Sequence, residues 1–310
     1  MVKIAVIDSG VNVDYLSKGV KIKEYYSILL NKDYTEIRID NEKNQRCDNK
    51  HGTLVVNCIE KYSKEVDKEF YIYNIYNGKG EASGICAIAA CRQIAELDQA
   101  DIISMSLTFS SYWKEEFAKV LELLKKKDIL LVASAHNVAE KESFPADMEG
   151  VLGVNGAYIK DGRNIGYIPE ETIQFTADKG YEFLLGKDGN YKLFYGNSKA
   201  TAIITAILSA KLEFGGKKKM KIWLEKEHKL KPNQIYSPNY EKIEVEKKNE
   251  IIKKYGFDLH ENHEVEIPLS YENYKAMRKM LSEYGVEDIT KLNYFDFYSI
   301  GSLLRFFNLG

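Results

Sequence analysis

Three short stretches hold side chains able to act together. "AVIDSGV" (5–11) ends an apolar run in Asp8. "KHGT" (50–53) sets His51 ahead of small and apolar residues. "GNSKATAIITA" (196–206) puts Ser198 at the head of a run that reads as a buried helix. A serine hydroxyl becomes a competent nucleophile when a neutral imidazole can take its proton, and a carboxylate can hold that imidazole in the right tautomer. A hydroxyl at a helix N-terminus also has a fixed position beside the positive end of the helix dipole. The plainer reading of Gly196-Asn197-Ser198 is a loop and cap, because Asn and Ser cap helices well and Ala-rich runs propagate them.

The chemistry requires elements that bring the three stretches together. Residues 2–8 read as a buried strand ending at Asp8. A small-residue helix is expected over 82–100, a strand over 101–107 and a helix over 112–127 with lysines at its C-terminal end. Strands are expected over 128–135 and 151–157. Strands alternating with helices predict an α/β fold with a mainly parallel sheet covered on both faces. Asp8 would then stand at the carboxyl edge, where sites form in open α/β sheets. Residues 181–196 read as a hairpin turning at Lys187-Asp188-Gly189, leading into the Ser198 helix. The composition shifts at Gly215-Gly216, which predicts a domain over 1–215 and a small, mainly helical region over 216–310 packed on it. Helical segments are expected near 244–255 and 271–284, and the aromatic end (Phe306, Phe307, Leu309) needs a covering surface. Residues 196–200 also fit the G-x-S-x-A elbow of α/β-hydrolases, but that fold places its acid and histidine after the serine. Here the best Asp and His contexts come first.

Composition narrows the function classes. The chain has 310 residues, 45% of them hydrophobic, enough for a sizeable core. Its net charge of −2 argues against a nucleic-acid partner. No run is long and apolar enough to span a membrane and no export signal is visible, so the expected location is cytoplasmic. Cys47, Cys58, Cys86 and Cys91 then read as reduced thiols, and no C-x-x-C pair suggests a metal.

Taken together these segments resemble the subtilisin-like serine peptidases, the subtilases. "VIDSGV" is similar to the family's catalytic-Asp motif, "HGT" to its catalytic-His motif and "GNSKATA" to its Gly-Thr-Ser-x-Ala-x-Pro serine motif. "ISMSL" resembles the strand leading to the substrate-binding segment. "LLVASAHN" resembles the strand before the oxyanion-hole asparagine, and "SFPADMEGVLGVNGA" the segment that follows it. The resemblance covers roughly 2–212. It implies a triad of Asp8, His51 and Ser198, an oxyanion hole of the Asn137 side-chain amide and the Ser198 N–H, and substrate contacts from Ser106, Leu107, Thr108, Phe109, Ser134, Ala135 and His136. No cofactor or metal is needed for this chemistry. Several positions depart from the family: Asn197 for Thr, Ala202 for Pro, Lys50 and His136 for Gly, and Thr108-Phe109 for two glycines. The last three predict a small primary pocket favouring Gly, Ala or Ser on the acyl side of the cut.

The resemblance implies an intracellular bacterial serine endopeptidase acting on a restricted peptide or protein, such as a ribosomal peptide losing its leader. The rival is a peptide-binding module of the same fold without turnover. With a first strand starting at Val2, the family's N-terminal calcium site and propeptide are expected to be missing. His136 reads as a pocket wall, Cys47 as a loop thiol near His51, Cys86 and Cys91 as small core residues, and the Lys-rich run 217–229 as a solvated face. His260 and His263 form H-x-x-H with no third ligand apparent.

Overall fold

The computed structural model describes residues 1–30, 37–41, 50–77, 81–138, 141–185, 191–235, 245–259 and 270–307. Cys47, His260, His263, Leu309 and the turn at Lys187-Asp188-Gly189 lie outside the described residues.

In chain order the elements are β1 (Val2–Asp8), β2 (Ile22–Leu30), β3 (Ile37–Asn41), α1 (His51–Tyr62), β4 (Lys68–Asn74), α2 (Gly84–Leu97), β5 (Ile102–Met105), α3 (Lys114–Lys126), β6 (Leu130–Ser134), β7 (Leu152–Ala157), β8 (Gly166–Tyr167), β9 (Phe175–Asp178), β10 (Glu182–Leu185), β11 (Tyr191–Phe194), α4 (Asn197–Leu224), α5 (Val245–Tyr255), α6 (Tyr271–Glu283), α7 (Tyr294–Phe297) and α8 (Ile300–Phe306). The main sheet runs β3-β2-β4-β1-β5-β6-β7-β9-β8. Its seven inner strands are parallel, and β3 and β8 close the edges antiparallel.

β1 occupies the middle of the sheet, which explains its unbroken apolar run: both of its faces are covered. Alternate side chains enter different cores. Val2, Ile4 and Val6 join α1 and α4, while Ala5 and Ile7 join α2 and α3. α4 lies along the sheet with Ala200, Ala202, Ile203, Ile204, Ala206 and Leu208 buried. Small residues there let the helix backbone come close to the strands. α4 breaks at Gly216 (φ 67°, ψ 169°), a conformation that favours glycine, and this falls at the composition change.

β10 and β11 form a separate antiparallel pair. Phe183 of β10 is buried in a third core with Tyr255, Met277, Leu281, Phe297 and Leu303. Its ring lies 5.2 Å from Phe297 and 5.8 Å from Tyr274. The helices after residue 245 are thus built around the hairpin that leads to Gly196.

Candidate active site

β1 delivers Asp8 to the carboxyl edge of the sheet with a carboxylate only 2% exposed. Asp8 Oδ1 accepts the Ser9 N–H at 2.7 Å. The turn that follows, Ser9-Gly10, is clamped to the start of α1. The Ser9 hydroxyl accepts the Gly52 N–H at 3.1 Å, and Thr53 Oγ1 accepts the Asn12 N–H at 2.9 Å. Gly52 is required by closeness: a Cβ there would lie 2.2 Å from the Gly10 carbonyl oxygen. The two motifs therefore interlock, and the first side chain of α1, His51, faces Asp8.

His51 Nδ1 lies 2.8 Å from Asp8 Oδ1 and 3.0 Å from Oδ2. An ionised carboxylate only accepts, so Nδ1 carries the proton and Nε2 of the neutral ring is an acceptor. The negative charge of Asp8 raises the His51 pKa above its ordinary 6.5. Burial opposes this and the hydrogen bond to Asp8 adds to it. Phe194 meets the His51 ring edge-on, with centroids 5.9 Å apart, and stands two residues before Gly196.

Ser198 is the second residue of α4 and is partly exposed. Gly196 before it has φ +82°. Its N–H donates to the Lys179 carbonyl at 2.8 Å, and its own carbonyl accepts Lys199 and Ala200 to close the first helical turn. Ser106 Oγ lies 3.4 Å from the Ser198 carbonyl.

Asn137 is exposed just beyond the end of β6. Its Oδ1 accepts the Asn197 N–H at 3.0 Å, so its Nδ2 is turned away from that bond with protons to donate. Asn197 returns the tie: its buried Nδ2 donates to the Ala135 and His136 carbonyls, both at 3.1 Å. The residue before the serine is thus locked to the strand end that carries Asn137. Sequence reading registers Asn197 as a loop or cap residue and as a departure from the family pattern, not as this tie. Its preference for helix starts was the one available signal. Phe194 gave none.

Among the other expected substrate contacts, Ser106, Leu107, Ser134 and Ala135 are buried. Phe109 is directed into the α2–α3 layer, edge-on to Phe117 at 5.7 Å and Phe144 at 5.0 Å. It lies over Gly84, where a Cβ would come within 2.8 Å of its ring. Thr108 and His136, the other two residues expected to wall the pocket, are partly exposed. The His136 Nδ1 accepts the Val138 N–H at 3.0 Å, and its backbone N–H donates to Ser143 Oγ at the same distance.

The chain belongs to the subtilase family, a family of serine proteases: the family model matches residues 1–221. It shares its fold with the epidermin leader peptide processing serine protease of Staphylococcus aureus (19% identity, TM-score 0.56), covering 76% of this chain and 72% of that one. A lanthipeptide protease gives 16% identity and a TM-score of 0.53 over 90% of this chain and 87% of that one. The nisin leader peptidase NisP of Lactococcus lactis gives 15% and 0.50 over 71% and 80%. No curated protein sequence matches the chain. Among the described residues no helix is long and apolar enough to cross a membrane.

Proposed function

We propose that the protein is a serine endopeptidase in which Asp8, His51 and Ser198 are the triad and Asn137 the oxyanion donor. The observation that carries the proposal is the pair of contacts from His51 Nδ1 to the buried Asp8 carboxylate. With Nδ1 engaged there, Nε2 is the ring atom we assign to Ser198 as its base. In this reading His51 Nε2 takes the Ser198 Oγ proton as the oxygen attacks the substrate carbonyl. The oxyanion accepts from Asn137 Nδ2 and the Ser198 N–H. The tetrahedral intermediate collapses, His51 passes the proton to the leaving amine, and water releases the acyl group by the same steps. Asp8 holds the tautomer and stabilises the imidazolium.

The substrate we propose is a ribosomal peptide that loses its leader. Support comes from three structural neighbours whose names give leader-peptide or lanthipeptide proteolysis, one of them aligning over 90% of this chain. The peptidase unit is residues 1–215, with 216–310 an accessory region packed on the hairpin. A reducing, cytoplasmic workplace belongs to the same proposal and draws on Cys58, Cys86 and Cys91 as free, buried thiols. A fluorophosphonate probe tests the reading directly. Wild-type protein labels at Ser198 and cleaves peptide, and Ser198→Ala does neither. A folded wild-type chain that fails to label would leave the non-catalytic peptide-binding module.

A further inference from the structure

Lys199 follows the serine and is the only charged side chain in the run from Gly196 to Ala210. It is 1% exposed. Its Nζ reaches Asp178 Oδ2 at 2.6 Å, the Gly180 carbonyl at 2.9 Å and Glu182 Oε2 at 3.1 Å. Nothing in the proposed reaction uses this ammonium group.

The partners reveal what it holds. Asp178 Oδ1 accepts the N–H groups of Ile159 and Gly180, each at 3.1 Å. Between Asp178 and Gly180, the Lys179 carbonyl accepts the Gly196 N–H at 2.8 Å, and the Lys179 N–H donates to Ala157 at 2.9 Å. The residue two places before Ser198 and the residue directly after it are therefore fastened to one three-residue segment. Glu182 makes the second connection. It pairs with Lys61, and its oxygens accept the Tyr62 hydroxyl at 3.2 and 3.1 Å. Lys61 and Tyr62 end α1, the helix that begins at His51. Lys61 also donates to the Thr290 carbonyl at 2.6 Å.

We propose that Lys199 is a positioning residue for Ser198, fixing the serine turn against segment 178–180 and, through Glu182 and Lys61, against the helix that carries His51. The proposal rests on the reading of Ser198 as nucleophile. Stability alone does not account for the arrangement, because buried ion pairs seldom stabilise more than apolar side chains of similar volume. An apolar side chain would fill the space but would not tie the residue after the serine to segment 178–180. Two ammonium groups and two carboxylates balance in charge. Burial works against the charge on Lys199, but Glu182 and Asp178 outweigh it and raise its pKa. Burial likewise works against Glu182, which Lys199 and Lys61 hold below the usual carboxylate range. Both shifts favour the charged forms of Lys199 and Glu182.

Lys199→Met tests the proposal, since it keeps most of the volume and removes the directional bonds. On folded protein, the rate constant for acylation by a small fluorophosphonate falls about 10–100-fold, as expected of a sub-ångström to 1 Å displacement. Peptide kcat falls with it while KM stays within about twofold. A lower melting temperature with an unchanged acylation rate constant would overturn the proposal, for Lys199 would then be structural only. If Lys199→Met does not fold, Lys61→Met at the quarter-exposed end of the network replaces it. There a fall of about 2–30-fold is expected, and no change overturns the proposal. Failure of the underlying reading looks different: wild-type protein does not label, or Ser198→Ala labels equally fast, and either result removes the function assigned to Lys199.

Discussion

Gly52→Ala is a one-methyl change whose effect can be worked out from the packing. Helix propensity alone favours alanine by about 1 kcal/mol. The structure demands the opposite sign. The added Cβ would lie 2.2 Å from the Gly10 carbonyl oxygen and 3.2 Å from Asp8 Cβ and Oδ1. The turn is itself crowded, since a Cβ on Gly10 would lie 2.1 Å from the Tyr25 hydroxyl and 3.2 Å from Asn74 Cβ. α1 must therefore withdraw by about 0.8 Å or more to restore a tolerable contact, since interiors have no slack of that size. His51 begins α1 and moves with it, so its 2.8 Å contact to Asp8 stretches beyond hydrogen-bonding range. The expected result is a stability loss of about 1–3 kcal/mol and a fall in kcat/KM of about 100-fold. The rising limb of the pH–rate profile should also slide back toward the unperturbed histidine value as the Asp8 charge recedes. Thermal melts and peptide hydrolysis from pH 5 to 9 would measure all three. A folded Gly52→Ala variant with kcat/KM within about threefold of the parent would refute the reasoning.

The remaining expectations concern single groups. With the neutral His51 ring as the proposed base and Asp8 raising its pKa, the rate should rise with pH about a midpoint above 6.5, and Asp8→Asn should lower both the midpoint and, by about 10⁴, kcat. The His51–Asp8 contribution to stability runs the other way: it is full below the unfolded pKa and fades as pH rises through the folded one, which melts across that range would detect. Asn137→Asp keeps an oxygen for the Asn197 N–H but loses the donor, so kcat should fall about 10²–10³ with little change in melting temperature; kcat near the parent value would exclude the oxyanion role. Phe297→Ala should cost about 3–5 kcal/mol, since that ring is 1% exposed against Phe183, and limited proteolysis yielding a stable, active 1–215 fragment would contradict the packing role given to the accessory region. Peptide-library profiling should show a preference for Gly, Ala or Ser on the acyl side that relaxes in Thr108→Gly; a parent enzyme preferring Phe or Leu there would show the pocket to be open.

The central strands were legible because they are covered on both faces and read as plain apolar runs: β1, β5, β6 and β7. Their spatial order was not, since nothing in "VKIAVID" says that β4 and β5 flank it. β2 and β4 escaped notice because charge interrupts their ends. Lys68 opens β4, yet is 4% exposed and bonded to Glu60 and the Ser63 carbonyl, a pairing that becomes visible only when α1 is in place. The residues flanking Ser198 show the same limit. Lys199 could be noticed as a charge in an apolar helix, but its partners lie 17 and 21 positions earlier, on segments whose proximity depends on the sheet. Phe109 read as a pocket wall because strand alternation leaves its direction open; the space over Gly84 decides it.

The hairpin built into the third core has a consequence for synthesis. A ribosome makes the chain from its N-terminus, so the segment carrying Ser198 emerges well before Tyr274 and Phe297, the partners of Phe183. At about 5–20 residues per second, the intervening stretch of about 100 residues takes about 5–20 s. Throughout that interval the central sheet can assemble while the strand pair leading to Gly196 lacks its aromatic support. A nascent chain of this design would complete its serine turn late, after most of the protein has left the ribosome.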